Sequence, residues 1–204
     1  MKKARKIAAA GLGVYAGLVA LEHGIFEYVQ GRAATPGLVI QAIGPPCEPG
    51  AVWHACFPAL TLLPTFQAAG MATVLLSAAL ILTSVFWSGR KAGPWVMISL
   101  SLLLFLAGGG FVPPFQGLLA GWVGTRQGRD LSWWKSQPGW MTDFLTRLWP
   151  WALILFWVWF PGSWIFGHLF GPTSLRWSPL LFLVFDLILP VGIALSALGA
   201  DARG

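Results

Sequence analysis

The sequence predicts an all-α integral membrane protein with four long transmembrane helices and a short return or re-entrant helix after a Gly/Pro break. Three observations carry that prediction. Charged residues make up only 10% of the 204-residue chain, against roughly a quarter in a soluble protein, too few to cover a water-facing surface. Apolar residues reach 56%, mean hydropathy is +0.71, and several uncharged stretches exceed the ~20 residues that cross a bilayer. Many of the 13 tryptophans fall at the ends of the apolar runs, where an amphipathic ring prefers the headgroup region. The net charge of +6 does not point to nucleic acid. Its basic residues lie between apolar spans instead of along one polar face, so they read as topology signals.

Taken in order, Lys2, Lys3, Arg5 and Lys6 precede the first span, about 7–29. A cleaved signal peptide is disfavoured because the run holds Glu22, His23 and Glu27. The amino end is therefore expected in the cytoplasm, and the membrane is read as a prokaryotic plasma membrane. Residues 30–56 are rich in Pro and Gly and read as an outer loop, with a short interfacial turn over Leu38–Ile43. The second span is placed at about 60–87, started or kinked by Pro58 and Pro64 and closed by Arg90 and Lys91.

The uncharged stretch 92–125 is too long for one crossing and is broken by Gly108-Gly109-Gly110-Phe111-Val112-Pro113-Pro114. Two topologies follow: a single crossing, or a span at 94–111 followed by a short return helix at 114–125. A single crossing splits the 13 basic residues almost evenly between the two sides. With the return helix, all but Arg32 and Arg176 fall on the cytoplasmic side, which the positive-inside rule prefers. Residues 126–147 then mix Trp133, Trp134, Trp140 and Phe144 with Arg129, Asp130, Lys135, Asp143 and Arg147, the composition of a cytoplasmic interfacial segment. Further spans are expected at 148–170, kinked at Pro161-Gly162, and at 179–198. No internal repeat supports an inverted-repeat transporter design.

Under this topology Glu22, His23, Glu27, Glu48, His54, His168 and Asp186 all fall toward the outer side. Ionisable groups at membrane depth are costly and mark functional sites by default. His23 and Glu27 are four residues apart and project about 40° from each other on a helix. With His54 they form a candidate metal set for zinc, iron or manganese. Glu22 and Glu48 stand as candidate bases, and Glu22, His23, Glu27, Glu48, His54, Gln67, Gln116 and Asp186 as a candidate ligand or proton site. Gln116 is expected near the backbone groups freed by the Gly/Pro break, with Gln67 in reach from the second span. Asp186 is expected as a further acceptor or as the partner of His168. Cys47 and Cys56, the only cysteines, lie in the outer loop and are expected to form a disulfide.

Three functional classes stay open. One is a small-molecule or ion-binding membrane protein or small transporter with an outward-facing polar site. Another is a membrane-embedded metalloenzyme acting on an apolar or lipid substrate. The third is a non-catalytic accessory subunit. Expected partners are membrane lipid and other membrane subunits or further copies of the chain.

Overall fold

A computed structural model describes residues 3–43 and 57–203 of the chain. Helix α1 (Ala4–Val29) is the central element and packs against α2 (Phe66–Phe86), α4 (Val112–Thr125), α6 (Gly139–Phe182) and α7 (Leu189–Arg203). Its approach to α2 depends on small residues. A Cβ added at Gly24 would lie 2.9 Å from the Val74 backbone nitrogen, so the two helices meet backbone to backbone, as membrane helices do where apolar burial alone gives no driving force. Thr73, Ser77, Ser84 and Ser101 are buried in this part of the bundle. Ser84 and Ser101 donate to carbonyls of their own helices, Leu80 at 2.7 Å and Met97 at 2.8 Å.

Helices α3 (Gly93–Ala107) and α4 are 15 and 14 residues long, about 21–23 Å each at 1.5 Å per residue and short of a ~30 Å hydrocarbon core. They run antiparallel, because Gly117 faces Ser101 while Gly124 faces Pro94. The chain therefore turns back at the Gly/Pro break. Loop residues 57–65 fold over that turn: the Leu62 N–H bonds the Leu106 carbonyl at 2.9 Å, and the Thr61 hydroxyl donates to the Ala107 carbonyl at 3.0 Å. The turn's backbone groups thus meet protein instead of lipid.

From Gly139 onward the chain is helical to Arg203, through α6, a π-helical segment Leu183–Ile188 and α7. It is not one straight rod. Trp159 stacks on Phe185 with ring centroids 4.1 Å apart, and Leu145 lies against Gly199. The two halves are therefore antiparallel, and the reversal falls between Trp159 and Phe185. Four helical stretches are long and apolar enough to cross a bilayer: Ala4–Val29, Phe66–Phe86, Gly139–Phe170 and Pro179–Ala202. The chain is an integral membrane protein of the all-α class.

One end of the bundle gathers the start of α1, the end of α4 and the end of α7. Arg5 is buried there and pairs with Asp201 at 2.8 Å. The Asp201 carboxylate also accepts the N–H groups of Ala4 and Arg5, at 3.0 and 3.3 Å, and the Arg5 guanidinium donates to the carbonyls of Arg126 and Arg129. Arg5, expected as a topology signal outside the first span, is thus a structural tie inside the bundle, which is why α1 starts at Ala4 and not near residue 7.

Three further boundaries differ from expectation. The second span starts at Phe66, not near 60, because the Thr65 hydroxyl caps it by accepting from the Ala68 N–H. Before that cap, β2 (Pro58–Leu60) pairs antiparallel with β1 (Val39–Gln41), so the segment read as an interfacial turn contains a strand. The interfacial segment is shorter than 126–147. It holds the four-residue helix α5 (Ser132–Lys135), and from Gly139 the chain already belongs to α6, since no breaker follows Pro138-Gly139 until the helix is established.

Candidate ligand cavity

Near the basic end, α1 and α6 touch directly. Gly11 faces Leu153, and the Tyr15 ring stacks on Phe156 at 3.8 Å and meets Phe160 edge-on at 5.5 Å. Beyond Tyr15 the two helices border a half-open cavity of about 460 Å³. Helix α1 contributes Tyr15, Val19, Glu22 and His23, positions i, i+4, i+7 and i+8 that share one helical face. Helix α6 contributes Trp159, Phe160, Ser163 and Trp164, and the returning chain Pro179, Phe182 and Asp186. Ile43, Phe57, Pro58 and the Phe111–Pro113 turn close the side far from Arg5. The walls are aromatic and aliphatic, with three ionisable groups of opposite origin set into them.

Two of the three carry a buried polar atom without the partner that usually accompanies burial. Glu22 Oε1 and His23 Nδ1 are buried without a hydrogen-bond partner, and His23 is only 4% exposed. Asp186 accepts from the indole N–H of Trp159 at 3.4 Å. Among the described residues no Lys or Arg lines the cavity, and neither Glu22 nor Asp186 has an ion pair.

The placement of Asp186 follows from a proline four residues later. Pro190 has no N–H to offer the Asp186 carbonyl. The helix widens around that point into the π-helical segment, whose following Leu189 N–H bonds Val184, five residues back. The amide of the fully buried Gln116 donates to the Asp186 carbonyl at 3.2 Å. Such π-helical turns occur often at functional sites, and here one turns a carboxyl toward a cavity.

The Gly/Pro break covers the polar face of α1. Gly108 and Gly110 adopt φ of +124° and +77°, the left-handed region that disfavours a Cβ. A Cβ at Gly110 would stand 2.8 Å from His23 Cε1, and one at Gly108 2.7 Å from Glu27 Cδ. Each glycine therefore lies directly over one ionisable side chain. Glu27 is fully buried and sits outside the cavity lining. Its Oε2 is 3.5 Å from the Thr73 hydroxyl, and its Oε1 has no partner.

Of the residues singled out from sequence, Glu22, His23 and Asp186 meet at the cavity, while Glu27 lies behind its wall. Gln116 supports Asp186 and does not reach Gln67. Because α2 begins late, Gln67 is in its first turn and accepts from Arg32 at 3.3 Å at an exposed position. The Trp159 indole takes the place proposed for His168, which is exposed. Cys47, Glu48, His54 and Cys56 lie outside the described residues, and with them the expected disulfide and one member of the His23, Glu27, His54 metal set. Among the described residues, no group of three or more His, Cys, Asp or Glu is placed to hold a metal ion. Tyr15 and Trp159 went unnoticed in the sequence. The available signal was Tyr15 falling on the i, i+7, i+8 face of Glu22 and His23.

Comparison of the chain with family models, curated proteins and solved structures returns no match.

Proposed function

We propose that this is a small-molecule-binding membrane protein that holds an amphipathic ligand in the cavity between α1 and the α6–α7 hairpin. The observation that carries the reading is the combination in one cavity: about 460 Å³ of aromatic and aliphatic wall with Glu22, His23 and Asp186 set into it. Sites for small molecules take this form, an apolar enclosure with a few placed polar groups that fix orientation. The partnerless Glu22 Oε1 and His23 Nδ1 support a ligand role over a packing role, because idle polar groups at membrane depth are costly.

The orientation proposed is amino terminus inside. Lys3, Arg5, Lys6, Arg90, Lys91, Arg126 and Arg129 stand at or beside the helix ends gathered near Arg5, which by the positive-inside rule is the cytoplasmic end. The cavity then faces the exterior half of the membrane. An accessory role in a larger assembly remains compatible with it. The face of α6 that carries Trp151, Val158, Ile165 and Leu169 is 59–70% exposed and suits lipid or a partner helix.

The test uses the full chain in lipid nanodiscs and a neutral aromatic probe, triphenylmethane, measured by equilibrium dialysis against protein-free nanodiscs. We expect saturable uptake near one probe per chain, reduced at least tenfold by Val19→Trp or by Ser163→Leu, which fill the cavity from opposite walls. Equal uptake by wild type, both variants and empty nanodiscs would refute the reading. Stoichiometric zinc, iron or manganese in the same preparation, lost on His23→Ala, would replace it with the metalloenzyme.

A further inference from the structure

Resting on that cavity reading, we propose that its natural ligands are lipophilic cations, with the positive head seated between Glu22 and Asp186 against the Tyr15 and Trp159 rings. Two carboxyl side chains from different elements line the same apolar space, and among the described residues no Lys or Arg shares it. A structural network would place a Lys or Arg between them, as the chain does at Arg5 and Asp201.

The remaining polar chemistry points the same way. His23, 4% exposed, lines the same space, and its Nδ1 has no partner within the protein, which leaves it available to a ligand. The Trp159 indole N–H is already committed to Asp186. With two carboxyls in its wall, the site favours a cation over an anion. Tyr15 and Trp159 line the same space, and an aromatic wall attracts a desolvated cation through the ring quadrupole. The surrounding Val19, Phe160 and Phe182 suit the apolar body of such a molecule, which separates this ligand class from a hydrated metal ion or a small polar amine.

Three probes of similar bulk isolate the charge: tetraphenylphosphonium, neutral triphenylmethane and tetraphenylborate. Binding to the full chain in nanodiscs is measured by equilibrium dialysis, with protein-free nanodiscs subtracted for each probe. We expect the cation to bind at least tenfold more tightly than the neutral probe, and the borate more weakly than either. Glu22→Gln and Asp186→Asn should each lower the cation-to-neutral ratio at least fivefold, and Glu22→Lys should turn the preference toward the borate. A variant that merely misfolds loses the neutral probe as well, so the ratio is read on variants that still bind it. A wild-type ratio near one, or a ratio untouched by both isosteric variants, would overturn the cation assignment while leaving the cavity as an apolar-ligand site. Failure of all three probes to bind wild type would overturn both readings.

Discussion

Asp201→Ala tests the tie that joins both chain ends to the end of α4. Arg5 and Asp201 are 1% and 4% exposed, so the substitution strands a buried guanidinium together with the Ala4 and Arg5 N–H groups that the carboxylate now accepts. Removing one partner of a buried ion pair costs about 3–5 kcal/mol. At 1.4 kcal/mol per factor of ten, that shifts the unfolding equilibrium by roughly two to three and a half orders of magnitude. The assay is unfolding in mixed micelles titrated with sodium dodecyl sulfate, followed by tryptophan fluorescence. The double variant Arg5→Met/Asp201→Ala leaves no stranded charge and should be less destabilised than the two single changes added, with a coupling of about 0.5–3 kcal/mol. A single-variant loss within about 0.5 kcal/mol of zero, the range of ordinary surface substitutions, would show that the pair is not buried in the folded protein.

Two further outcomes test the support of the cavity and its sidedness. Gln116→Leu should lower stability in the same unfolding assay by about 1–3 kcal/mol, the loss expected when a buried acceptor goes unpaired. Adding Pro190→Ala, which returns an N–H to the Asp186 carbonyl, should recover part of that loss; no recovery would refute the proline explanation. In a background with Cys47 and Cys56 changed to serine, Ser136→Cys should resist an impermeant maleimide applied to intact cells and react after lysis. Ready labelling from outside would reverse the proposed orientation.

How far the fold could be read depended on the range of the signal. Span number and the return helix were legible because length, hydropathy and the Gly108–Pro114 break are local properties. Counting charges then chose between two topologies, and the structure places α4 antiparallel to α3 as that count required. What escaped were properties fixed by distant partners. Arg5 looks like any basic residue ahead of an apolar run; its partner Asp201 lies 196 positions away. The β1–β2 pairing joins strands of three residues each, too short for alternation to show. The start of α6 was hidden because Trp140, Asp143 and Arg147 suit both an interfacial segment and the first turns of a long helix.

The site was legible in its acids and illegible in its architecture, and the reason lies in how Asp186 is held. Its charge at membrane depth was visible as an anomaly. Its direction depends on three facts that one-dimensional spacing does not join: a proline four residues on, an amide from α4 and an indole from α6. Pro190 leaves the Asp186 carbonyl without its helical donor, and Gln116 bonds it at 3.2 Å. Trp159 then holds the carboxyl across the hairpin at 3.4 Å. The same logic separates His23 from Glu27. Their four-residue spacing suggested a shared ligand, yet the turn between α3 and α4 sets Gly110 over one and Gly108 over the other. The imidazole is left lining the cavity and the Glu27 carboxyl is sealed behind it. A backbone turn that needs glycine for its own dihedral angles thus also decides which ionisable group of α1 a ligand can reach.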